Sequence, residues 1–290
     1  DILTKEILDF VEYISPTEED IAVRERIIKD VKDCVKELWP SATVQVFGSY
    51  GAGLYLPESD IDLVVFMHQT KLKRGSWLKT LANALTKKGN CKSINVISHA
   101  RVPIIKFVDK QSHIPVDVSL DINSGVSSTA VVKEWIRITP GLRHLTIVMK
   151  TLLRQRGLNE VYQGGLGSFS LLCMMMAFLR QHPLYQKGKI DPMENLGVLL
   201  IEFCELYGIK FNYNATSIAC HSSGAVAFTP KKYEISNIEY VSRGKGNNMP
   251  SRLVIRDPLD IHNNVARSSH KMIYVEYFFR ELYNVLSIRC

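Results

Sequence analysis

The 290 residues carry 36 Lys and Arg against 29 Asp and Glu, a formal charge of +7, and 46% of them are hydrophobic. That apolar share can fill one large or two modest cores and excludes a disordered chain. The longest apolar run, Ser170 to Leu179, is about half of what a membrane span needs, so no membrane partner is expected. The basic balance favours a polyanionic partner. The six cysteines (Cys34, Cys91, Cys173, Cys204, Cys220 and Cys290) form no Cys-x-x-Cys pair and read as reduced thiols.

In chain order, Ile2, Ile7, Leu8, Phe10, Val11 and Ile14 recur at helical spacing, and Ser15-Pro16-Thr17 breaks that helix. Thr17 and Asp20 have the spacing of a capping box, which opens a second helix running to about Leu38. Trp39-Pro40 ends it. Thr43 to Phe47 alternates as a strand, Gly48 to Gly53 is a glycine-rich loop, and a second strand opens with Asp60-Ile61-Asp62 and runs to Phe66. Lys71 to Gly75 is a basic loop, and Trp77 to Lys88 an amphipathic helix. Strand-like runs follow at Ser93 to Ile97, Val102 to Val108 and Ile114 to Leu120. Beyond about Pro140 the pattern changes to long helices: Gly141 to Arg156, Leu166 to Leu179, Leu196 to Tyr207 and Lys271 to Leu286. Ile209 to Pro250 reads as short strands and irregular pieces, with Arg243 to Asn248 as a loop. The change of pattern marks a domain boundary.

The chemistry concentrates around Asp60 and Asp62. Side chains two apart on a strand share a face, so both carboxylates point one way. Their repulsion calls for a cation, and Mg²⁺ prefers oxygen ligands together with substrate phosphates. The amides of Gly48 and Ser49 and the Ser49 hydroxyl are suited to hold such phosphates. Asp117 is a lone acid in an apolar strand and needs a cation or a hydrogen-bond network. It completes a three-carboxylate cluster if its strand lies beside the Asp60 strand. Lys150 and Arg154 are four apart and share a helix face. Gly164 to Ser170 opens a helix whose start, with Ser168, suits a phosphate or sugar, and Phe169 offers a stacking face.

Gly48-Ser49 followed by Asp60-Ile61-Asp62 is similar to the signature of the DNA polymerase β-like nucleotidyltransferases. The longer string from Val46 to Val65 resembles the noncanonical, template-independent poly(A) polymerases of nuclear RNA surveillance. The resemblance covers nearly the whole chain. It implies an α/β fold with two domains. Residues 18–140 form a nucleotidyltransferase domain with a small mixed sheet. Residues 1–17 and 141–290 form a mostly helical domain that closes the nucleotide cleft. It implies Asp60, Asp62 and Asp117 as catalytic ligands of two Mg²⁺ or Mn²⁺ ions, with Asp117 accepting the proton of the RNA 3′-hydroxyl. It assigns nucleotide contacts to Gly48, Ser49, Gly125, Lys150, Arg154, Ser168, Phe169, Asn263 and Arg267.

The implied activity is addition of AMP from ATP to RNA 3′ ends, with a separate RNA-binding subunit as partner and the nucleus as the favoured location. A uridylyl- or mixed-nucleotide transferase, a small-molecule nucleotidyltransferase and an inactive RNA-binding scaffold are the alternatives. Three departures from the family pattern stand out: Leu120-Asp121 for Phe-Asn, Ser124 for Asn, and Arg256 for an acid. Asp121 is expected to add charge near the metals.

Overall fold

A computed structural model describes residues 1–67, 76–99, 102–235 and 251–289. The basic loops at 71–75 and 243–248 and Cys290 lie outside the described residues. The fold is α/β and divides into two units, one of residues 14–133 and one of residues 1–13 and 134–290. The sequence reading put the boundaries at 17/18 and 140/141. One helix accounts for most of the difference: it runs unbroken from Asn123 to Ile138, so the second division falls inside it.

The first unit holds helix α2 (Glu18–Leu38), strand β1 (Thr43–Phe47), the short helix α3 (Gly48–Ala52), β2 (Ile61–Phe66), α4 (Ser76–Lys88), β3 (Cys91–Ile97), β4 (Ile104–Asp109), β5 (Pro115–Leu120) and the start of α5 (Asn123–Ile138). Helix α1 (Ile2–Ile14) precedes them and packs its Leu3 and Thr4 on Gly197 of the other unit's helical core, to which residues 1–13 belong. The Thr17–Asp20 capping box forms in both directions, with Asp20 N–H donating to Thr17 Oγ1 (3.1 Å) and Thr17 N–H to Asp20 Oδ2 (3.0 Å).

The sheet order is β1-β2-β5-β4-β3, antiparallel except for the parallel pair β2·β5. Its period-2 pattern sorts side chains cleanly. Ile61, Leu63, Val65, Ile105, Phe107, Val116 and Val118 meet Ile27, Ile28, Val31 and Val35 of α2 and Trp77, Leu78, Leu81 and Leu85 of α4 in one buried cluster. The intervening residues of the three central strands therefore face the other way: Asp62 on β2, Asp117 on β5 and Lys106 on β4. The apolar face thus dictates where the carboxylates appear.

Two expectations change. The glycine-rich loop is a one-turn helix, α3, closed by Gly53 in the left-handed region (φ +73°). Helix α5 was not anticipated, because Asn123-Ser124-Gly125 reads as a turn.

The second unit is built on α6 (Leu142–Gln155), α7 (Ser168–Gln181), α8 (Pro183–Gln186), α9 (Leu196–Glu205) and α10 (Met272–Arg289), with a small sheet of β6 (Thr216–Cys220), β7 (Val226–Pro230) and β8 (Ile255–Arg256) in the order β7-β6-β8. From Ser170 to Leu179 every residue of α7 is buried, which marks a central core helix. Phe203 packs edge-on against Phe178 and Phe279 and tilted against Tyr207. Cys173 and Cys220 are both buried and unoxidised. No helix among the described residues is long and apolar enough to cross a membrane.

The turn from β4 to β5 fixes the register that sets Lys106 beside Asp117. Buried Asp109 holds it, accepting from Arg26 Nη2 (2.9 Å), Ser112 N (2.8 Å) and Ser112 Oγ (2.7 Å). Burial alone would raise its pKa, but the hydrogen bonds from Arg26 and Ser112 outweigh that and hold the carboxyl below its ordinary value. Asp109→Asn should therefore cost about 1.5–3 kcal/mol at neutral pH. A depressed folded-state pKa gives stability that is lost as pH falls through it, so the gap between wild type and variant should close in acid. Thermal unfolding at neutral pH and in acid checks this; a gap independent of pH would contradict it.

Candidate active site

The register of β2 against β5 pairs Asp62 directly with Asp117. Asp60 stands one residue before β2, in phase with Asp62. One carboxylate oxygen from each of Asp60, Asp62 and Asp117 lies within 4.8 Å of the others, and all three residues are half-buried. No other group of three or more potential metal ligands occurs among the described residues. Three half-buried carboxylates this close repel one another strongly, and all their donors are hard oxygens. The set fits a hard divalent cation.

Lys106 lies across the β4·β5 register from Asp117, and its ammonium forms an ion pair with the Asp117 carboxylate. Burial nonetheless pushes the Asp117 carboxyl above its ordinary pKa, Lys106 pulls it down, and the nearby Asp60 charge adds to the rise. The partner that a lone acid in an apolar strand requires is thus partly supplied by a lysine. The expected extra charge from Asp121 is not part of the cluster. Asp121 sits in the left-handed region (φ 50°), where Asp is tolerated, and its Oδ1 accepts from Met67 N–H (3.0 Å) beyond the end of β2.

Gly48 is required by space as well as by its φ of +68°. A Cβ there would lie 2.0 Å from Asp62 Oδ2. Its amide, expected to face a phosphate, donates instead to Thr129 Oγ1 (3.0 Å), and that hydroxyl donates to the Gly125 carbonyl (2.8 Å). Gly125 packs so tightly on Phe47 that a Cβ would meet the ring at 2.6 Å. Ser49 follows in α3, and no hydrogen bond to its hydroxyl occurs among the described residues.

The remaining predicted contacts lie in the second unit. Lys150 and Arg154 occupy α6, the former half-buried and the latter exposed. Ser168 is exposed at the first position of α7, and Phe169 is half-buried outside the aromatic core. Asn263 and Arg267 are exposed in the loop after β8. The Asn263 amide nitrogen donates to Asp257 Oδ2 (2.8 Å). The adjacent Asn264 is buried and ties the loop down: its Oδ1 accepts from Ile255 N and Ala266 N (both 3.0 Å), and its Nδ2 donates to the Leu253 carbonyl (3.2 Å). Arg256, a departure from the family pattern, pairs with buried Glu234 at 3.4 Å.

Sequence reasoning missed Lys106, Thr129, Asp257 and Asn264. Lys106 had a usable signal, as the one cation in Ile104 to Val108, at a position alternating with core-facing Ile105 and Phe107. Thr129 meets Gly48 from 81 residues away, which no local pattern carries, whereas Asp257 and Asn264 act within their own loop.

The family model described as "Poly(A) RNA polymerase, mitochondrial-like, central palm domain" matches residues 3–137. That described as "Cid1 family poly A polymerase" matches residues 195–263. Poly(A) RNA polymerase protein 2 of Saccharomyces cerevisiae is 42% identical over the whole chain, which spans about half (48%) of that relative's length. The inactive non-canonical poly(A) RNA polymerase protein Trf4-2 of Drosophila melanogaster is 34% identical over 99% of the chain and 68% of its own. Among solved structures, the polymerase core of TRAMP, a RNA surveillance complex, is 42% identical with a TM-score of 0.88, covering all of this chain and 87% of that one. The Cid1 poly(U) polymerase shares the fold (TM-score 0.76, 98% and 93% covered) at 21% identity. On its identity to Trf4-2 over 68% of that protein and to the TRAMP polymerase core over 87% of that chain, the chain belongs to the noncanonical poly(A) RNA polymerase family.

Proposed function

We propose that the chain adds nucleotides, chiefly AMP from ATP, to RNA 3′ ends without a template. The observation that carries this reading is the convergence of Asp60, Asp62 and Asp117 beside Gly48 and Ser49. Primer extension on an RNA oligonucleotide with Mg²⁺ and each nucleotide in turn tests it: stepwise growth with ATP is expected, and no growth by folded protein refutes it. The similarity to a polymerase named inactive keeps a non-catalytic scaffold as the competing reading. The intact carboxylate cluster favours catalysis.

Asp60, Asp62 and Asp117 would hold two Mg²⁺ or Mn²⁺ ions. Such ions activate the attacking hydroxyl and neutralise the departing pyrophosphate. Asp117 is the proton acceptor for the RNA 3′-hydroxyl, since burial makes its carboxylate more basic than an exposed one. Lys106 balances Asp117 until the cation arrives. Ser49 contributes a hydroxyl to the triphosphate, and Gly48 keeps side-chain atoms away from Asp62. Lys150 and Arg154 supply phosphate charge, Ser168 a hydroxyl, Phe169 a stacking face, and Gly125, Asn263 and Arg267 further nucleotide contacts. The likeness to the polymerase core of a RNA surveillance complex supports further subunits; an RNA-binding one and a nuclear setting are inferred from the sequence resemblance.

Replacing any one aspartate of the cluster by Ala should abolish tailing. Asp60→Ala and Asp62→Ala relieve repulsion, so metal-free thermal stability should hold or rise. Asp117→Ala strands Lys106 and should not raise it. Unfolding curves and tailing assays on the three proteins check this; robust tailing by Asp117→Ala contradicts the assignment.

Phe169→Ala should weaken ATP binding while costing little stability, whereas the same change at fully buried Phe203 should cost about 3–5 kcal/mol. Lys150→Ala should raise KM for ATP. Severe unfolding of Phe169→Ala with unchanged ATP affinity, or an unchanged KM for Lys150→Ala, contradicts these roles.

The choice of base should rest on Asn263. Asp257 engages its amide nitrogen, which leaves Oδ1 to accept from an exocyclic amine. Adenine has that amine; uracil presents a carbonyl in its place. Such a contact is worth roughly 1–3 kcal/mol, so ATP should be preferred over UTP by about tenfold or more. Asn263→His should narrow the gap. Competition between the two nucleotides on one RNA primer decides it, and a wild-type preference for UTP overturns it.

A further inference from the structure

Arg24 is 1% exposed, one of the largest fully buried side chains, and it makes no ion pair among the described residues. Burial lowers its pKa, opposed by the nearby Tyr55 and Tyr50 and by the more distant charges of Asp20 and Asp60. An arginine buried without a carboxylate partner is costly and calls for an explanation.

Two of its donors and its flat face engage one stretch of chain. Nη1 donates to the Ser59 carbonyl (2.9 Å) and Nη2 to the Pro57 carbonyl (2.8 Å). The guanidinium carbon lies 4.8 Å from the ring centre of Tyr55 and 5.6 Å from that of Tyr50. Those two rings touch each other edge-on at 4.8 Å. Tyr50 belongs to α3, the helix that carries Ser49. Pro57 and Ser59 belong to the turn that delivers Asp60, a turn closed by Leu56 N–H on Ser59 Oγ (2.9 Å) and Ser59 N–H on the Leu56 carbonyl (2.9 Å).

The Ser59 carbonyl is half of the peptide group whose nitrogen is that of Asp60. Because that group is planar, fixing its oxygen fixes the plane from which the Asp60 Cα emerges. The Asp60 φ then sets the direction of its Cβ, and only the side chain's own χ1 and χ2 lie between that and the carboxylate. The same guanidinium braces the helix bearing Ser49 through Tyr50.

We propose that Arg24 is a positioning residue for the metal site, holding Asp60 and the Ser49 helix in one geometry through the Pro57 and Ser59 carbonyls and the two tyrosine rings. This rests on the reading of Asp60, Asp62 and Asp117 as metal ligands. Lysine cannot replace it: one ammonium keeps the charge and the stem but offers neither a planar fork nor a stacking surface. Nothing in this role needs Arg24 to touch substrate or metal.

The test uses Arg24→Lys, with Ser59→Ala as a second variant that loosens the same turn without entering the core. Mn²⁺ affinity is measured by electron paramagnetic resonance with a non-transferable ATP analogue present, beside kcat, KM for ATP, the Mg²⁺ concentration for half-maximal tailing, and thermal stability. Supporting groups behind metal ligands typically change metal affinity or activity by about 10–100-fold. Arg24→Lys should weaken Mn²⁺ binding and raise the Mg²⁺ requirement by about tenfold, lower kcat similarly, and leave KM for ATP nearly unchanged. Ser59→Ala should move the same quantities in the same direction by less. A purely structural arginine would lower stability and scale activity with the folded fraction, with metal affinity per folded molecule unchanged. That result in Arg24→Lys overturns the proposal, and if Arg24→Lys does not fold, unchanged metal affinity in Ser59→Ala does so. Wild-type protein that binds Mn²⁺ no better than Asp60→Ala would overturn the metal reading itself; intact binding in both variants overturns only the role of Arg24.

Discussion

The structure around the site depends on one constraint, the parallel pairing of β2 with β5 that sets Asp62 directly opposite Asp117. Repulsion between two carboxylates in register works against that pairing. The apolar side of the same strands imposes it. Ile61, Leu63 and Val65 on one strand and Val116 and Val118 on the other are essentially inaccessible to solvent. A one-residue slip of β5 would turn Val116 and Val118 outward and bury Asp117 among α2 and α4. Core burial therefore holds like charges together, and the site's appetite for a cation follows from that.

Lys106 and the three glycyl or hydroxyl neighbours show how the fold tolerates such a cluster. Lys106 brings one compensating charge by strand register alone. Gly48 removes the side chain that would strike Asp62. Thr129 on α5 accepts from the Gly48 amide while donating to the Gly125 carbonyl one turn earlier, and so ties the start of α3 to α5. Arg24 braces the third turn, the one entering Asp60. Gly48, Thr129 and Arg24 act on backbone, and Lys106 alone engages a carboxylate directly.

Much of this was legible in the sequence, and the reasons are specific. Alternation in Ile61 to Val65 and in Val116 to Val118 predicts strands with one apolar face, and Asp62 and Asp117 stand out as the polar exceptions. Thr17 and Asp20 announce the start of α2, and the capping box forms as the spacing requires. Helix α5 was hidden because Asn123, Ser124 and Gly125 favour turns, and the close approach of Phe47 that excludes a side chain at Gly125 is set by the fold. Arg24 stands on α2 with nothing in its own sequence neighbourhood to single it out. Its two carbonyl partners lie 33 and 35 residues away, beyond what any local pattern can report. Asn264 anchors its loop from within, through partners two to eleven residues away, but its burial is set by the fold.

The most direct measurement is crystallographic. Crystals of the protein with a non-transferable ATP analogue and Mn²⁺ would be examined for anomalous scattering at the manganese edge. The account predicts peaks ligated by Asp60, Asp62 and Asp117, with the analogue's phosphates completing the coordination. Bound analogue with no manganese at these three carboxylates would contradict it.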